Sequence, residues 1–208
     1  DKFRLAKVRD VRAWQTLGDA AERTVKAREI SAAEWNFTMG AGTALFEKLS
    51  RLPIRLGDVA KIFVGLQTSA DPVFLFKDVP SLTRKSVSVY SKAIDERVPI
   101  ETELLKPVVR SGSIGRYFAN ATAAVLFPYR FDEGKAILLP ESVMEKSYPA
   151  AWEYLRRNTQ VLAQREHGKF RPTGWYQLYP KNLELWEQPK ILVPYMITRL
   201  SAYHDTEN

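Results

Sequence analysis

The sequence predicts an α+β fold with a mixed or antiparallel sheet. Five short β-type runs are each bounded by Gly, Pro, Asp or Ser, which is typical of strands separated by turns. Their spacing is irregular, and only one strong helix lies between the later runs, whereas a doubly wound parallel sheet needs a helix between successive strands. The runs cover residues 61–64, 73–76, 86–90, 123–127 and 191–193.

The strong helix is predicted from about Pro149 to Glu166. Ser147 is suited to the N-cap, and Pro149 falls in the first turn, where its missing N–H has little effect on stability. An apolar stripe at helical spacing predicts the buried face of this helix. The stripe consists of Trp152, Leu155 and Leu162.

Residues 1–53 are predicted to form a mainly helical connector, and residues 54–208 a second domain. The helical prediction rests on apolar residues at helical spacing, and on Ser31 and Glu34, which fit a capping box. The spaced residues are Trp14, Leu17, Ala21 and Val25, then Ala44, Leu45 and Leu49. Since the chain begins at Asp1, we expect the connector to follow an upstream domain of a longer protein.

The charge of the chain favours a polyanionic partner. Its 31 basic and 24 acidic residues give a net charge of +7 in 208 residues, which indicates nucleic acid. The alternative is that the charge serves only solubility.

Several function classes are excluded by composition. Cysteine is absent and there are two histidines, so disulfides, thiolate metal sites, cysteine nucleophiles and histidine-rich metal sites are not expected. No apolar run approaches the ~20 residues that span a bilayer. We therefore expect no membrane partner and a cytoplasmic protein.

No catalytic motif is visible either. The glycines at 112 and 115 are followed by no evident helix, so they do not form a nucleotide-binding loop. A Gly-x-Ser-x-Gly elbow and the methyltransferase tetrapeptide Asn/Asp-Pro-Pro-Tyr/Phe are absent. The adjacent acidic pairs at 95–96 and 132–133 are typical of solvated turns. We predict no catalytic, cofactor-binding or metal-binding residue in this chain.

Two segments instead interleave basic and aromatic residues, at 106–117 and 165–176. The first is predicted to be a flexible basic loop that approaches a phosphate backbone. In the second, Trp175 and Tyr176 either stack on bases or anchor a loop to the core.

The order of short motifs along the chain resembles one known family. Leu56-Gly57-Asp58 opens the series, and further elements follow at 65–74, 104–110, 114–117, 126–129, 148–165, 175–176 and 189–194. Together they resemble the TaqI-like C-terminal specificity domain of adenine-specific DNA methyltransferases, including fused type II restriction-methylation enzymes. The resemblance covers roughly residues 54–200. The family usually carries more chain after the strand at 189–194, so part of the recognition surface is expected to be missing.

The resemblance implies a target-recognition domain that reads double-stranded DNA. A separate catalytic domain of the same parent chain would hold S-adenosylmethionine and methylate a flipped adenine. This chain alone would then have no enzymatic activity and need no cofactor. The alternatives are a domain like those of type I specificity subunits, a protein-interaction module that docks a methyltransferase or nuclease, and an enzyme of unrecognised type.

Eight residues are the candidates for DNA contact. The first five are short or forked hydrogen-bonding groups in glycine-rich loops: Gln67, Thr68, Arg110, Ser111 and Arg116. Three more are predicted to contact phosphates: Lys169, Arg171 and Lys181. We expect Arg110 to read a base and Arg116 to contact a phosphate, with Tyr117 packed inward and holding Arg116 near the strand.

Overall fold

A computed structural model describes residues 1–18, 20–29, 42–79, 82–170, 174–186, 188–196 and 201–206. The chain divides into two units, Asp1–Ile62 and Phe63–Asn208. Every strand pairing in the described residues is antiparallel, and helices accompany the strands, so the predicted α+β class is confirmed. None of the described helices is both long and apolar enough to cross a bilayer.

In the residues that the structure describes, the first unit has two strands and three α-helices. The elements are β1 (Lys2–Lys7), α1 (Val11–Leu17), β2 (Ala21–Lys26), α2 (Gly42–Ser50) and α3 (Leu56–Val59). Strands β1 and β2 pair so that Phe3 lies opposite Val25, and Val25 is buried.

The predicted helix across residues 14–25 is wrong beyond Leu17. Asp10 caps the start of α1, where its Oδ1 accepts from the N–H groups of Arg12 and Ala13. The helix ends at Gly18, whose φ of 67° is the left-handed conformation that terminates helices. The residues after it, including the β-branched Thr24 and Val25, pair as a strand instead. The capping box predicted at Ser31 and Glu34 lies outside the described residues.

The second unit is built around a three-stranded sheet. The order is β3 (Leu75–Lys77), β7 (Ala119–Leu126) and β6 (Leu105–Ile114), with β7 in the centre. Three two-stranded pairs accompany it: β4 (Ser86–Ser91) with β5 (Glu96–Glu101), β8 (Tyr129–Asp132) with β9 (Lys135–Leu138), and β10 (Lys190–Leu192) with β11 (Tyr203–Asp205). In β4, Val87 and Val89 are buried and alternate with exposed residues, as a half-buried strand requires.

The strand predicted at residues 61–64 is not formed. This segment is extended chain with no ladder partner among the described residues, and Ile62 and Val64 are exposed. An apolar run forms a strand only where another strand completes its hydrogen bonds. The run at 73–76 is divided between a short helix and β3.

The described part of the second unit also contains four α-helices, α4 (Asp71–Phe74), α5 (Glu141–Ser147), α6 (Pro149–Arg157) and α7 (Thr159–Gly168). The single helix predicted from 149 to 166 is therefore broken. At the break, Asn158 is buried and its side-chain amide donates to the carbonyl of Tyr154 at 2.8 Å. This hydrogen bond caps the end of α6. Within α7, the backbone leaves helical geometry at Arg165, Glu166 and His167.

The core of the second unit lies between the sheets and the α6–α7 pair. Three residues of these helices are almost fully buried: Tyr154 and Leu155 of α6, and Leu162 of α7. The predicted apolar stripe is therefore confirmed as the buried face at Leu155 and Leu162. Trp152 packs against Trp175 and Tyr176, with ring centroids 5.5 Å and 5.2 Å apart. Tyr176 is fully enclosed, so these two aromatic residues anchor their loop to the core.

Candidate nucleic-acid interface

Strands β6 and β7 form a ribbon, defined here as residues 105–126, which is two-stranded beyond the pairing of β3 with residues 123–125 of β7. Its base is regular, with Leu105 opposite Leu126 and Val108 opposite Ala123. The turn at its tip is closed by a hydrogen bond of 2.9 Å from the N–H of Gly115 to the carbonyl of Phe118. Two-stranded β-ribbons are of a width that the major groove of B-DNA admits.

The outer half of the ribbon carries a large bulge. Val109 pairs with Ala121 and Ile114 with Ala119, so the four residues from Arg110 to Ser113 lie opposite the single residue Asn120. A bulge leaves residues unpaired and changes the direction in which their side chains point. Arg110 and Ser111 are both exposed.

The flexible loop predicted at 106–117 is therefore wrong for most of its length. Residues 106–114 belong to strand β6. Pro107, Gly112 and the serines are accommodated because Pro107 lies near the base of the strand and Gly112 lies within the bulge. Arg116 is in the turn and is exposed.

The ribbon and its flanks carry positive charge only. The sequence contains no Asp or Glu between Glu103 and Asp132. Four cations fall in that interval: Lys106, Arg110, Arg116 and Arg130. A phosphate backbone approaching this surface meets no carboxylate from the same stretch of chain, and each cation can release a counterion on binding.

The tip of the ribbon presents an aromatic ring. Tyr117 is 81% exposed, so the expected inward packing of Tyr117 is wrong. The guanidinium carbon of Arg116 lies 5.4 Å from the Tyr117 ring centroid. Its neighbour Phe118 is also exposed, at 55%, and the Phe118 ring lies over Gly115 so closely that an added Cβ would meet Phe118 Cε1 at 2.1 Å.

A second group of candidates surrounds Tyr179. Tyr179 donates its N–H to the carbonyl of Gln67 at 3.1 Å, and the Gln67 side chain is exposed. Lys169 Nζ lies 5.8 Å from the Tyr179 ring centroid. The N–H of Lys181 donates to the Tyr179 carbonyl at 2.8 Å. The candidates described by the structure thus fall into two groups, one on the ribbon and one at Tyr179.

Thr68 is unsuited to contact DNA in this structure. Its side chain is buried, with 3% of the residue exposed. The hydroxyl donates to Asp71 Oδ1 at 2.5 Å and accepts from the N–H of Ala70 at 3.0 Å. Both hydrogen-bonding roles of Thr68 are therefore filled within the turn that begins α4, and we leave it out of the proposed contact set. Arg171 lies outside the described residues.

Arg165 connects the segments around Tyr179. It is buried. Its Nη1 donates to the Thr68 carbonyl at 2.6 Å, and its Nη2 donates to the carbonyls of Trp175 and Gln177 at 2.9 Å and 2.7 Å. Burial lowers the pKa of Arg165 below its ordinary value.

These segments border an open cleft of about 490 Å³. Its rim includes Gln67, Asp71, Glu166 and Tyr179. Ser69 Oγ donates to Glu166 Oε1 at 2.9 Å across the cleft. The described residues contain no cluster of three or more His, Asp or Glu that could hold a metal ion.

A comparison of the chain with models of known protein families finds no family model that matches.

Sequence reasoning placed Lys106 in the basic segment without naming it as a contact, and it missed the outward position of Tyr117 and the cation Arg130. The signal for Arg130 was present, since the interval between Glu103 and Asp132 is free of acidic residues in the sequence itself. The exposure of Tyr117 had no such signal, because a tyrosine in a turn either packs or faces solvent, depending on the tertiary fold.

Proposed function

We propose that this chain binds double-stranded DNA and that the ribbon is its principal contact element. The observation that carries the proposal is the acid-free ribbon, on which Arg110, Ser111 and Arg116 are exposed. The chain would serve as the target-recognition part of an adenine-specific DNA methyltransferase or a fused type II restriction-modification enzyme. A catalytic domain of the same parent chain would supply S-adenosylmethionine and methyl transfer.

The roles proposed on the ribbon differ with position. Arg110 lies in the bulge, where four residues face one partner residue, so its fork can reach a base edge and pair with guanine O6 and N7. Arg116 lies in the turn beside Tyr117 and is assigned a phosphate. Ser111 can donate to or accept from either. Lys169 and Lys181 would contact phosphates away from the ribbon.

The test is duplex DNA binding by the full 208-residue chain with single charge reversals. Arg110→Glu and Arg116→Glu should each weaken binding to a mixed-sequence duplex by roughly tenfold or more, because each places a negative charge against the polyanionic duplex in place of a positive one. Arg156→Glu is the matched control, since Arg156 is exposed and belongs to α6 rather than to the ribbon. It should change the affinity less than about twofold, and all three variants should retain the wild-type melting temperature.

Equal DNA affinity in the wild type and in both ribbon variants would contradict the proposal. If only Arg110 altered the preference among duplexes that differ at one base pair, the assignment of Arg110 to a base and Arg116 to a phosphate would be supported.

A second function is favoured by the surface of the first unit. Helices α1 and α2 expose large apolar side chains, which on a protein surface mark interaction sites. They are Val11, Trp14 and Leu17 in α1, and Leu45, Phe46 and Leu49 in α2. We propose that this surface docks the methyltransferase catalytic domain of the parent chain. Leu45→Glu with Leu49→Glu should abolish association with that domain while leaving DNA affinity unchanged, and unchanged association would contradict the docking role.

A further inference from the structure

We propose that Tyr117 is a stacking residue that enters the DNA base stack at an opened step. This inference rests on the proposed function, and it adds a contact that charge alone does not imply. The ribbon would then bind the duplex in two ways, through cations on phosphates and through one aromatic ring on a base.

The first argument is the exposure of the ring at a protruding tip. Tyr117 is 81% exposed and occupies the turn between β6 and β7, at the end of the ribbon farthest from the sheet. A large aromatic ring that stays exposed does not gain the favourable free energy that burial of its apolar surface would give. A base has a face of matching shape and polarity, and stacking on it restores that burial.

The second argument is that the turn is held in place before any ligand arrives. The Gly115–Phe118 hydrogen bond closes the turn, and the Phe118 ring packs over Gly115 in space that a Cβ would fill. Phe118, itself 55% exposed, thus braces the turn through Gly115, and Tyr117 projects from this turn. A preorganised aromatic residue loses little conformational freedom when it binds.

The third argument is the arrangement of charge around the ring. The Arg116 guanidinium carbon lies 5.4 Å from the Tyr117 centroid, a geometry in which the cation and the ring attract each other. The nearest acidic residues in sequence are Glu103 and Asp132. A base that stacks on the Tyr117 ring brings its phosphate close to Arg116, so the two contacts reinforce each other.

Insertion of a side chain into a duplex requires two base pairs to separate. The unstacking energy is smallest where a pair is mismatched or already weakened. A protein that stacks a ring into DNA therefore binds a duplex with one mismatched pair more tightly than the matched duplex. A protein that contacts only phosphates does not distinguish the two.

The experiment compares the affinity of the full chain for a short mixed-sequence duplex and for the same duplex with one mismatched pair. The wild type should prefer the mismatched duplex by roughly fivefold or more, the effect expected of one stacked base. Tyr117→Phe should keep the preference because the ring remains. Tyr117→Ala should bring the ratio of the two affinities close to one. Tyr195→Ala is the matched control, since Tyr195 is 85% exposed and lies outside the ribbon, and it should behave as the wild type.

The outcomes separate this inference from the proposed function. If the wild type binds neither duplex, the proposed function fails and the inference with it. If the wild type binds both equally, with the salt dependence of phosphate contact, the proposed function stands and the stacking role of Tyr117 is overturned. A preference that survives Tyr117→Ala overturns it as well.

Discussion

Arg165 shows how a single side chain can position several segments of a candidate interface. Its guanidinium donates to four backbone carbonyls, those of Leu162, Thr68, Trp175 and Gln177. The rings of Phe74 and Phe170 lie 5.2 Å and 4.9 Å from its Cζ. Buried carbonyl groups need donors, and arginine supplies five N–H groups in a fixed fork. The loop at Gln67 and the chain leading to Tyr179 are thus held to α7.

Replacing Arg165 with lysine should therefore destabilise the protein although the charge is kept. A single ammonium cannot reach four carbonyls in three segments, so we expect Arg165→Lys to lower the free energy of unfolding by about 2–4 kcal/mol. Urea unfolding monitored by tryptophan fluorescence measures this. Arg156→Lys, an exposed change on α6, should remain within about 0.5 kcal/mol of the wild type. Equal stability of the two variants would show that the carbonyls find other donors.

Tyr154 makes the stability of the second unit sensitive to alkaline pH. Its hydroxyl donates to the Val73 carbonyl at 2.8 Å, and burial raises the pKa of Tyr154 to about 12 from 10.0. Above pH 10 the unfolded chain loses this proton and the folded chain keeps it. The stabilisation is therefore fully present below pH 10 and is lost as the pH rises through 12, at about 1.4 kcal/mol per pH unit.

Urea unfolding between pH 9 and pH 11 tests this prediction. In Tyr154→Phe the free energy of unfolding should fall less steeply above pH 10, because the titrating hydroxyl is gone. The slope should be smaller by about 1.4 kcal/mol per pH unit, which corresponds to one proton. Tyr195→Phe, a change on an exposed ring, should reproduce the wild-type fall. The same steep fall in Tyr154→Phe would assign the pH dependence to other groups.

At the scale of elements, helix α6 depends on a carboxylate far away in sequence. Glu101, the last residue of β5, accepts from the N–H groups of Ala150 and Ala151 at 2.9 Å and 2.8 Å. These are among the N–H groups that the first turn of a helix leaves without intrahelical partners. The negative charge also lies at the positive end of the helix dipole.

Glu101→Gln should lower the free energy of unfolding by about 1–2 kcal/mol. One amide NH₂ replaces an acceptor, so one of the two N–H groups loses its partner and the favourable charge disappears. Chemical denaturation of this variant beside Glu153→Gln provides the comparison, since Glu153 is exposed on the same helix. If the two variants were equally stable, the Glu101 contacts would contribute nothing to the helix.

The elements that the sequence predicted well are those whose pattern is local. Strand β4 is confirmed because Val87 and Val89 alternate with polar residues, and β7 because its end is an unbroken apolar run. Strand β6 was missed, since Pro107 and Gly112 are residues that break strands. The strand tolerates both residues only because β7 pairs with the base of β6 and leaves a bulge near the tip. That pairing is a tertiary contact, and no local sequence pattern predicts it.

The prediction of one long helix was wrong for a related reason. Its apolar stripe continues in register across Asn158, so periodicity alone predicts one helix. The break arises because the buried Asn158 side chain bonds to the Tyr154 carbonyl, an alternative to helical hydrogen bonding that asparagine favours.

At the scale of the whole molecule, part of the candidate site follows from sequence and part does not. The candidates Arg110, Ser111 and Arg116 lie together on one ribbon because they share one strand and its turn. Gln67 meets Tyr179, two residues before Lys181, through a hydrogen bond between segments distant in sequence. The Arg165 hydrogen bond to the Thr68 carbonyl also joins distant segments, and Thr68 beside it is buried. The sequence alone shows the charge pattern along the chain. It does not show which side chains are exposed, because the tertiary fold decides that.

The central claim, that this chain binds duplex DNA through the ribbon, is tested most directly by the salt dependence of its affinity. If the cations of this interval that are not assigned to a base, Lys106, Arg116 and Arg130, neutralise about three phosphates, the affinity for a mixed-sequence duplex should fall roughly fortyfold between about 50 and 200 mM salt. Replacing Arg116 with alanine should make the slope shallower by about one unit. An affinity that does not change over this range, or a slope that Arg116→Ala leaves unaltered, would contradict the account.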